Sequence, residues 1–195
     1  MTDPTSRGAG AIAFTDLVGF TDFTAEWGDD VAVSVLDAQE RAVRSALPED
    51  ARIVKELGDG LMLWFADPVS AIVVCRELRR GFGARGSAPP LGVRVGLHWG
   101  TPTRRRDDLV GHEVNLAARI VELAGPGELL VSAPLRDQIG GRAPDLEFDE
   151  LGPVVMRGIP DPVRLFRVTG RAPTGPSGTP AGGSAARGEA GARVS

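Results

Sequence analysis

The stretch from Arg52 to Phe65, RIVKELGDGLMLWF, constrains the fold more than any other. Two apolar runs, Ile53 to Leu57 and Leu61 to Phe65, flank Gly58-Asp59-Gly60, which is the sequence form of a β-hairpin with a tight turn at Asp59. Lys55 and Asp59 sit four apart around the mouth of that hairpin, where strands entering a core ordinarily carry apolar residues on one face. Charges in that place ask for a chemical reason.

The rest of the chain supplies partners for the hairpin. Ala11 to Phe14 is a short apolar run that predicts a buried strand delivering Asp16 to its carboxyl end. Val18 to Trp27 begins a helix that Gly28 breaks. Asp29 or Asp30 then caps a longer helix, with Val31, Val35, Ala38, Ala42, Val43 and Ala46 at helical spacing up to Pro48. Asp67-Pro68 is an N-cap with proline at the first helical position, and it opens an amphipathic helix through about Arg80 with Val69, Ile72 and Val73 inward. Leu91 to Trp99 alternates as a strand, and Gly100 to Asp108 is a polar connector. Glu113 to Ala124 is a helix stopped by Gly125-Pro126-Gly127. Glu128 to Val131 is a short strand, and a further helix runs from Ser132 to Gly140. Late strands follow at Leu146 to Leu151, Val154 to Met156 and Val163 to Val168. That order implies an α+β sheet with helices packed on it, over residues 11–169. Residues 1–10 are a flexible lead-in, and the Gly, Ala, Pro, Ser and Arg of 170–195 predict a disordered tail.

Composition removes several function classes. The single cysteine, Cys75, forbids an internal disulfide and falls in a helix as a small buried residue, which fits a reducing compartment. No apolar run approaches the roughly 18 residues that cross a bilayer, so a cytoplasmic protein without membrane attachment is expected. A formal net charge of −4 argues against a nucleic-acid binder. An anionic ligand would have to meet positive charge or metal locally. His98 and His112 lack partners for a zinc site, and Trp27, Trp64 and Trp99 read as packing residues.

Asp16 and Asp59 both end strands, and a sheet that seats the first strand beside the hairpin brings them together. Two ionised carboxylates about 4 Å apart repel by roughly 4 kcal/mol at an effective dielectric of 20, so such a pair gathers a cation or shares a proton. Oxygen donors without Cys or His favour Mg²⁺ or Mn²⁺. Leu17-Val18-Gly19-Phe20-Thr21 follows directly as a glycine-containing turn into a helix, whose free amides suit phosphates. Asn115 and Arg119 are one helical turn apart, on a face that also carries Leu116, Ile120 and Leu123. They suit a sugar oxygen and a phosphoryl group respectively, although Arg119 could equally pair with Glu122 or Glu113.

Ala13-Phe14-Thr15-Asp16-Leu17-Val18-Gly19-Phe20-Thr21, Lys55-Glu56-Leu57-Gly58-Asp59-Gly60 and the run from Asp108 to Arg119 (DLVGHEVNLAAR) together resemble the catalytic domain of class III nucleotidyl cyclases. The resemblance implies a ferredoxin-like βαββαβ core sheet with helices packed on it. It implies two Mg²⁺ or Mn²⁺ ions at Asp16, Asp59 and the Leu17 backbone, and a triphosphate on the Gly19, Phe20 and Thr21 amides. Lys55 and Asp108 match the pair that reads the purine, with Asp107 an adjacent alternative acceptor. Asn115 and Arg119 match the residues that orient the ribose and stabilise the transition state. The connector is similar to that of short-armed members of the family, and His112 stands where many relatives have an Asp. Adenine offers an acceptor at N1 and a donor at N6, complementary to a Lys donor and an Asp acceptor, whereas guanine would oppose them. ATP is therefore the expected substrate, 3′,5′-cyclic AMP and pyrophosphate the expected products, and a homodimer sharing its active sites the expected assembly. The competing expectations are an idle nucleotide-binding regulatory module, a guanylate cyclase, or another metal-dependent nucleotidyl transferase of similar fold.

Overall fold

The structure, a computed structural model, describes residues 8–83 and 91–170. Most of the expected lead-in, residues 84–90 and the tail expected beyond 170 lie outside the described residues. The elements are β1 (Gly10–Val18), α1 (Phe20–Trp27), α2 (Asp29–Ala46), β2 (Ala51–Leu57), β3 (Gly60–Phe65), α3 (Pro68–Gly83), β4 (Gly92–Gly100), β5 (Thr103–Arg105), β6 (Asp108–Val110), α4 (His112–Leu123), β7 (Leu129–Ser132), α5 (Ala133–Ile139), β8 (Glu147–Val154) and β9 (Val163–Thr169). Seven strands form one sheet in the order β2-β3-β1-β4-β7-β9-β8. The β2-β3-β1-β4 half, with β1 antiparallel to both neighbours, is the expected ferredoxin-like core.

β1 lies at the centre of that core and is apolar on both faces, as a strand covered on both sides must be. Ala11 and Ala13 join Leu63, Phe65, Val35, Ile72 and Val95 in the main core, beneath α2 and α3. Ile12 and Phe14 face the other way, onto Met62 and the α4 residues Val114, Ala117 and Val121. On that second side β4 presents Gly92, Arg94, Gly96, His98 and Gly100. A Cβ at Gly96 would collide with the Val121 backbone, so the glycine lets α4 lie directly on the strand.

The hairpin forms as read, and its two glycines have different reasons. Gly58 takes φ +68°, which L side chains rarely adopt, and a Cβ at Gly60 would strike the Thr15 carbonyl. The turn is thus pressed against the end of β1. Asp67 caps α3 as expected, accepting the Ser70 amide at 2.8 Å. Burial pushes the Cys75 thiol up to about 12.

Several expectations are corrected. α2 is preceded by Gly28, with no side-chain cap, so Asp29 and Asp30 lie inside its first turn. Its buried residues are Ala32, Val35, Gln39 and Val43, while Val31 faces solvent. The run VAVSV supplies apolar residues at neighbouring phases, and packing rather than pattern selects one of them. The 100–108 connector contains half of a small hairpin, β5 pairing β6 around a turn in which Arg106 has φ 59°. A single strand, β8, with a bulge between Glu150 and Gly152, replaces the strands expected at 146–151 and 154–156, and it ends at Val154, so Val155 and Met156 lie beyond it. Trp27 is 56% exposed and stacks on Phe23 at 6.0 Å, whereas Trp64 and Trp99 pack against the core.

Candidate active site

Close approach of the hairpin turn to β1 brings Asp59 into the field of Asp16. Asp59's carboxyl is held above the usual carboxylate range, first by burial and then by the Asp16 charge, with its own backbone amide and Arg94 partly offsetting them. Arg94, directly across the β1–β4 ladder from Asp16, donates from Nε to Asp16 Oδ2 at 2.6 Å. Nothing in the sequence singles out Arg94, which in the LGVRVGLHW alternation looks like an ordinary outward strand residue. Two close carboxylates and the neighbouring backbone at Leu17 make an all-oxygen donor set, and among the described residues there is no cluster of three His, Cys, Asp or Glu side chains. The set fits Mg²⁺ or Mn²⁺ and offers nothing to attract zinc.

Gly19 directly precedes α1 with φ 80° and no side-chain cap, and its carbonyl accepts the Phe23 amide at 2.9 Å. The amides of Phe20 and Thr21, ahead of Phe23, are left without partners inside the helix. They open immediately beyond the strand that carries Asp16 and Leu17.

Lys55 reaches its position through a defect in β2. Ile53 pairs with Leu63, but the register then shifts so that Lys55, not Val54, pairs with Met62. In an unbroken register Val54 would oppose Met62, and Lys55 would oppose Leu61 and point into the main core. The bulge turns it to the Met62 face instead. There its Nζ donates to Asp108 Oδ2 at 2.8 Å. The Lys55 hydrogen bond, with help from the Leu109 amide, holds the Asp108 carboxyl below the usual range. Asp107 lies in the turn, where its carbonyl accepts from Arg52 Nη1 at 2.8 Å and its charge acts on the same guanidinium. Of the two adjacent aspartates, Asp108 is the one beside Lys55.

α4 turns its buried residues, Val114, Leu116, Ala117, Ile120 and Val121, toward the sheet. The expectation that Leu116 and Ile120 share the face of Asn115 and Arg119 is therefore corrected. Asn115 is exposed, Arg119 is half-buried, and Leu123 beside them is 46% exposed. Arg119 Nη1 donates to both carboxylate oxygens of Glu122, at 2.6 and 2.8 Å. Both partners are substantially exposed, so this bond costs little to open. Glu113 instead bonds the buried ring of His98.

The fold gathers the ten expected site residues into three groups: Asp16, Leu17 and Asp59 with the amides at Gly19, Phe20 and Thr21; Lys55 with Asp108; and Asn115 with Arg119.

No family model matches the sequence. The chain is 35% identical over 158 residues to an uncharacterized protein of Mycobacterium tuberculosis, and 30% identical over 159 residues to a pH-sensitive adenylate cyclase of the same organism. Each alignment takes in 80% of this chain and 40% of the relative, so the chain spans well under half the length of these proteins. Among solved structures it superposes on an adenylate cyclase of Trypanosoma brucei with TM-score 0.73 at 26% identity, covering 86% of this chain and 91% of the other. The adenylyl cyclase CyaB of P. aeruginosa gives TM-score 0.74 at 23% identity over 86% and 96%. A rhodopsin-guanylyl cyclase core with converted specificity, in complex with ATPαS, gives 0.75 at 18% over 85% and 97%, a likeness of fold alone.

Proposed function

The described residues form a catalytic domain of the class III nucleotidyl cyclases, and from that premise we propose that the chain is an adenylate cyclase, making 3′,5′-cyclic AMP and pyrophosphate from ATP. One observation carries the choice of ATP: Lys55 and Asp108, 2.8 Å apart, set one donor and one acceptor side by side. Opened by a purine, that pair complements N1 and N6 of adenine and opposes the corresponding edge of guanine. Either partner facing the wrong edge would leave a polar group unpaired, which discriminates strongly between substrates.

The other groups take roles that follow from their chemistry. The amides at Gly19, Phe20 and Thr21 bind the triphosphate oxygens, helped by the positive end of α1. Asp16, Asp59 and the Leu17 backbone would hold two Mg²⁺ or Mn²⁺ ions, which when bound supply a lowered pKa for the attacking hydroxyl and neutralise the triphosphate. Arg94 keeps Asp16 oriented. Asn115 orients the ribose so that its 3′-hydroxyl lies in line with the α-phosphorus. Arg119 leaves Glu122 and donates to the phosphoryl oxygens as their charge develops.

Asp59 answers to the charges of Asp16 and Arg94, while Asp108 answers to Lys55 and Arg105. Two separate half-sites on one chain support an active site completed by a second copy. Asn115, Arg119 and Leu123 on the open face of α4 suit that contact.

Incubating the protein with ATP or GTP, with Mg²⁺ or Mn²⁺, and identifying products by mass tests the reading. Cyclic AMP well in excess of cyclic GMP is expected. Predominant cyclic GMP would make the chain a guanylate cyclase, and bound ATP without turnover would make it a regulatory module.

A further inference from the structure

The face of β4 that meets α4 is glycine at 92, 96 and 100, with Arg94 and His98 between them. Arg94 is engaged with Asp16; His98 belongs to no group described above. Its side chain is only 4% exposed, and both ring nitrogens are bonded: Nε2 to Glu113 Oε2 at 2.5 Å, and Nδ1 to Ser132 Oγ at 2.8 Å. The three residues come from three elements, β4, the first turn of α4 and the end of β7.

We infer that His98 is a positioning residue, which with Ser132 anchors Glu113 and so fixes the start of α4 and the placement of Asn115 and Arg119. The helix start is otherwise weakly held. Gly111 precedes it at φ 114° with no side-chain cap, and the first-turn carboxylate that would normally serve the helix's own amides is spent on His98. A Cβ at Gly100 would collide with the Glu113 carboxylate, so the strand is cut away where that side chain crosses. Further along, Gly96 seats the Val121 backbone on the same strand. α4 is thus held to β4 at two places, by close contact at Val121 and by a polar bond at Glu113, and Asn115 and Arg119 lie between them.

The hydrogen-bond roles are fixed by the partners. Glu113 accepts from Nε2–H, so Nδ1 is the acceptor, and the buried Ser132 hydroxyl donates to it. Burial lowers the His98 pKa and His112 adds to that, while Glu113 opposes it, leaving the ring neutral at pH 7. A buried bond to a carboxylate is short and directional, suited to holding a helix end within the tolerance that in-line attack demands.

The inference uses the cyclase reading only for the roles of Asn115 and Arg119, and two readouts separate them. Hydrogen exchange needs no activity: in His98→Phe and in Glu113→Ala, amides over 112–119 should exchange about tenfold faster, with β2 and β3 unchanged. In turnover, kcat should fall about 10- to 100-fold in both proteins, with KM for ATP changed less than about threefold because Lys55 and Asp16 sit on other elements. Glu113→Gln, whose amide oxygen still accepts from Nε2–H, should recover kcat to within about threefold of wild type. Unchanged exchange over 112–119 would overturn the anchor, and faster exchange with normal kcat would overturn its positioning role. If His98→Phe fails to fold, Glu113→Ala, altered at a partly exposed side chain, carries the same test. A wild-type protein that makes no cyclic nucleotide would sink the cyclase reading while the exchange result still decides the anchor.

Discussion

Asp59 is a residue whose placement works against stability. Partial burial beside Asp16 penalises its charge, so a neutral isostere should relieve the protein. Asp59→Asn is expected to melt about 1–3 °C higher without metal, to lose the melting increase that Mn²⁺ gives the wild type, and to make no cyclic nucleotide. Calorimetry with and without Mn²⁺ checks this; equal metal stabilisation in both proteins would contradict it. Specificity is a residue-scale matter as well. Lys55→Glu with Asp108→Ser sets an acceptor against guanine N1–H and a donor against its O6, and should shift the GTP:ATP ratio of kcat/KM upward by at least about tenfold. His98 gives a pH dependence. Its folded pKa lies below the unfolded value of 6.5, so the folded state binds fewer protons there, and stability should fall as pH drops below about 6.5. His98→Phe removes that part of the slope, which urea titrations at pH 7 and pH 5.5 would reveal.

Among the elements, the β2 bulge takes up Val54 and so sets Lys55 on the face where it meets Asp108. Deleting Val54 gives a regular ladder in which Ile53 still pairs with Leu63 and Lys55 with Met62, so Lys55 stays on the face that reaches Asp108. Only the packing of a partly buried valine is lost, so a fall of about 1–2 kcal/mol in unfolding free energy is expected with turnover retained, and Val54→Ala should likewise keep the register and most activity; abolished turnover in the deletion protein would contradict this placement of Lys55. The bulge also marks the limit of what the sequence reveals. The hairpin was legible because Gly58-Asp59-Gly60 has one cheap conformation, and α3 because Asp67-Pro68 is an unambiguous start. The Ile53-Val54-Lys55 run holds no breaker, so nothing local announces the slip that makes Lys55 usable. The phase of α2 was hidden for a related reason, since VAVSV satisfies several stripes. Asp16, Asp59, Lys55, Asp108, Asn115 and Arg119 could be found because three motifs occur in order. Arg94 and His98 could not, because their partners, Asp16, Glu113 and Ser132, are distant in sequence and meet only when β1, α4 and β7 gather around β4.

At the scale of the molecule, each chain holds one carboxylate pair, one Lys–Asp pair and one Asn–Arg pair, with α4 open on the face that bears the last. We propose that these groups complete a site only across two copies. Mixing Asp16→Ala with Arg119→Ala protein, each nearly inactive alone, tests it most directly. With subunits exchanging freely, about half of the dimers would be mixed, and each mixed dimer would hold one intact site of two, so cyclic AMP formation should recover to about a quarter of the wild-type rate. A mixture no more active than either parent, under conditions where the subunits demonstrably exchange, would contradict the shared site.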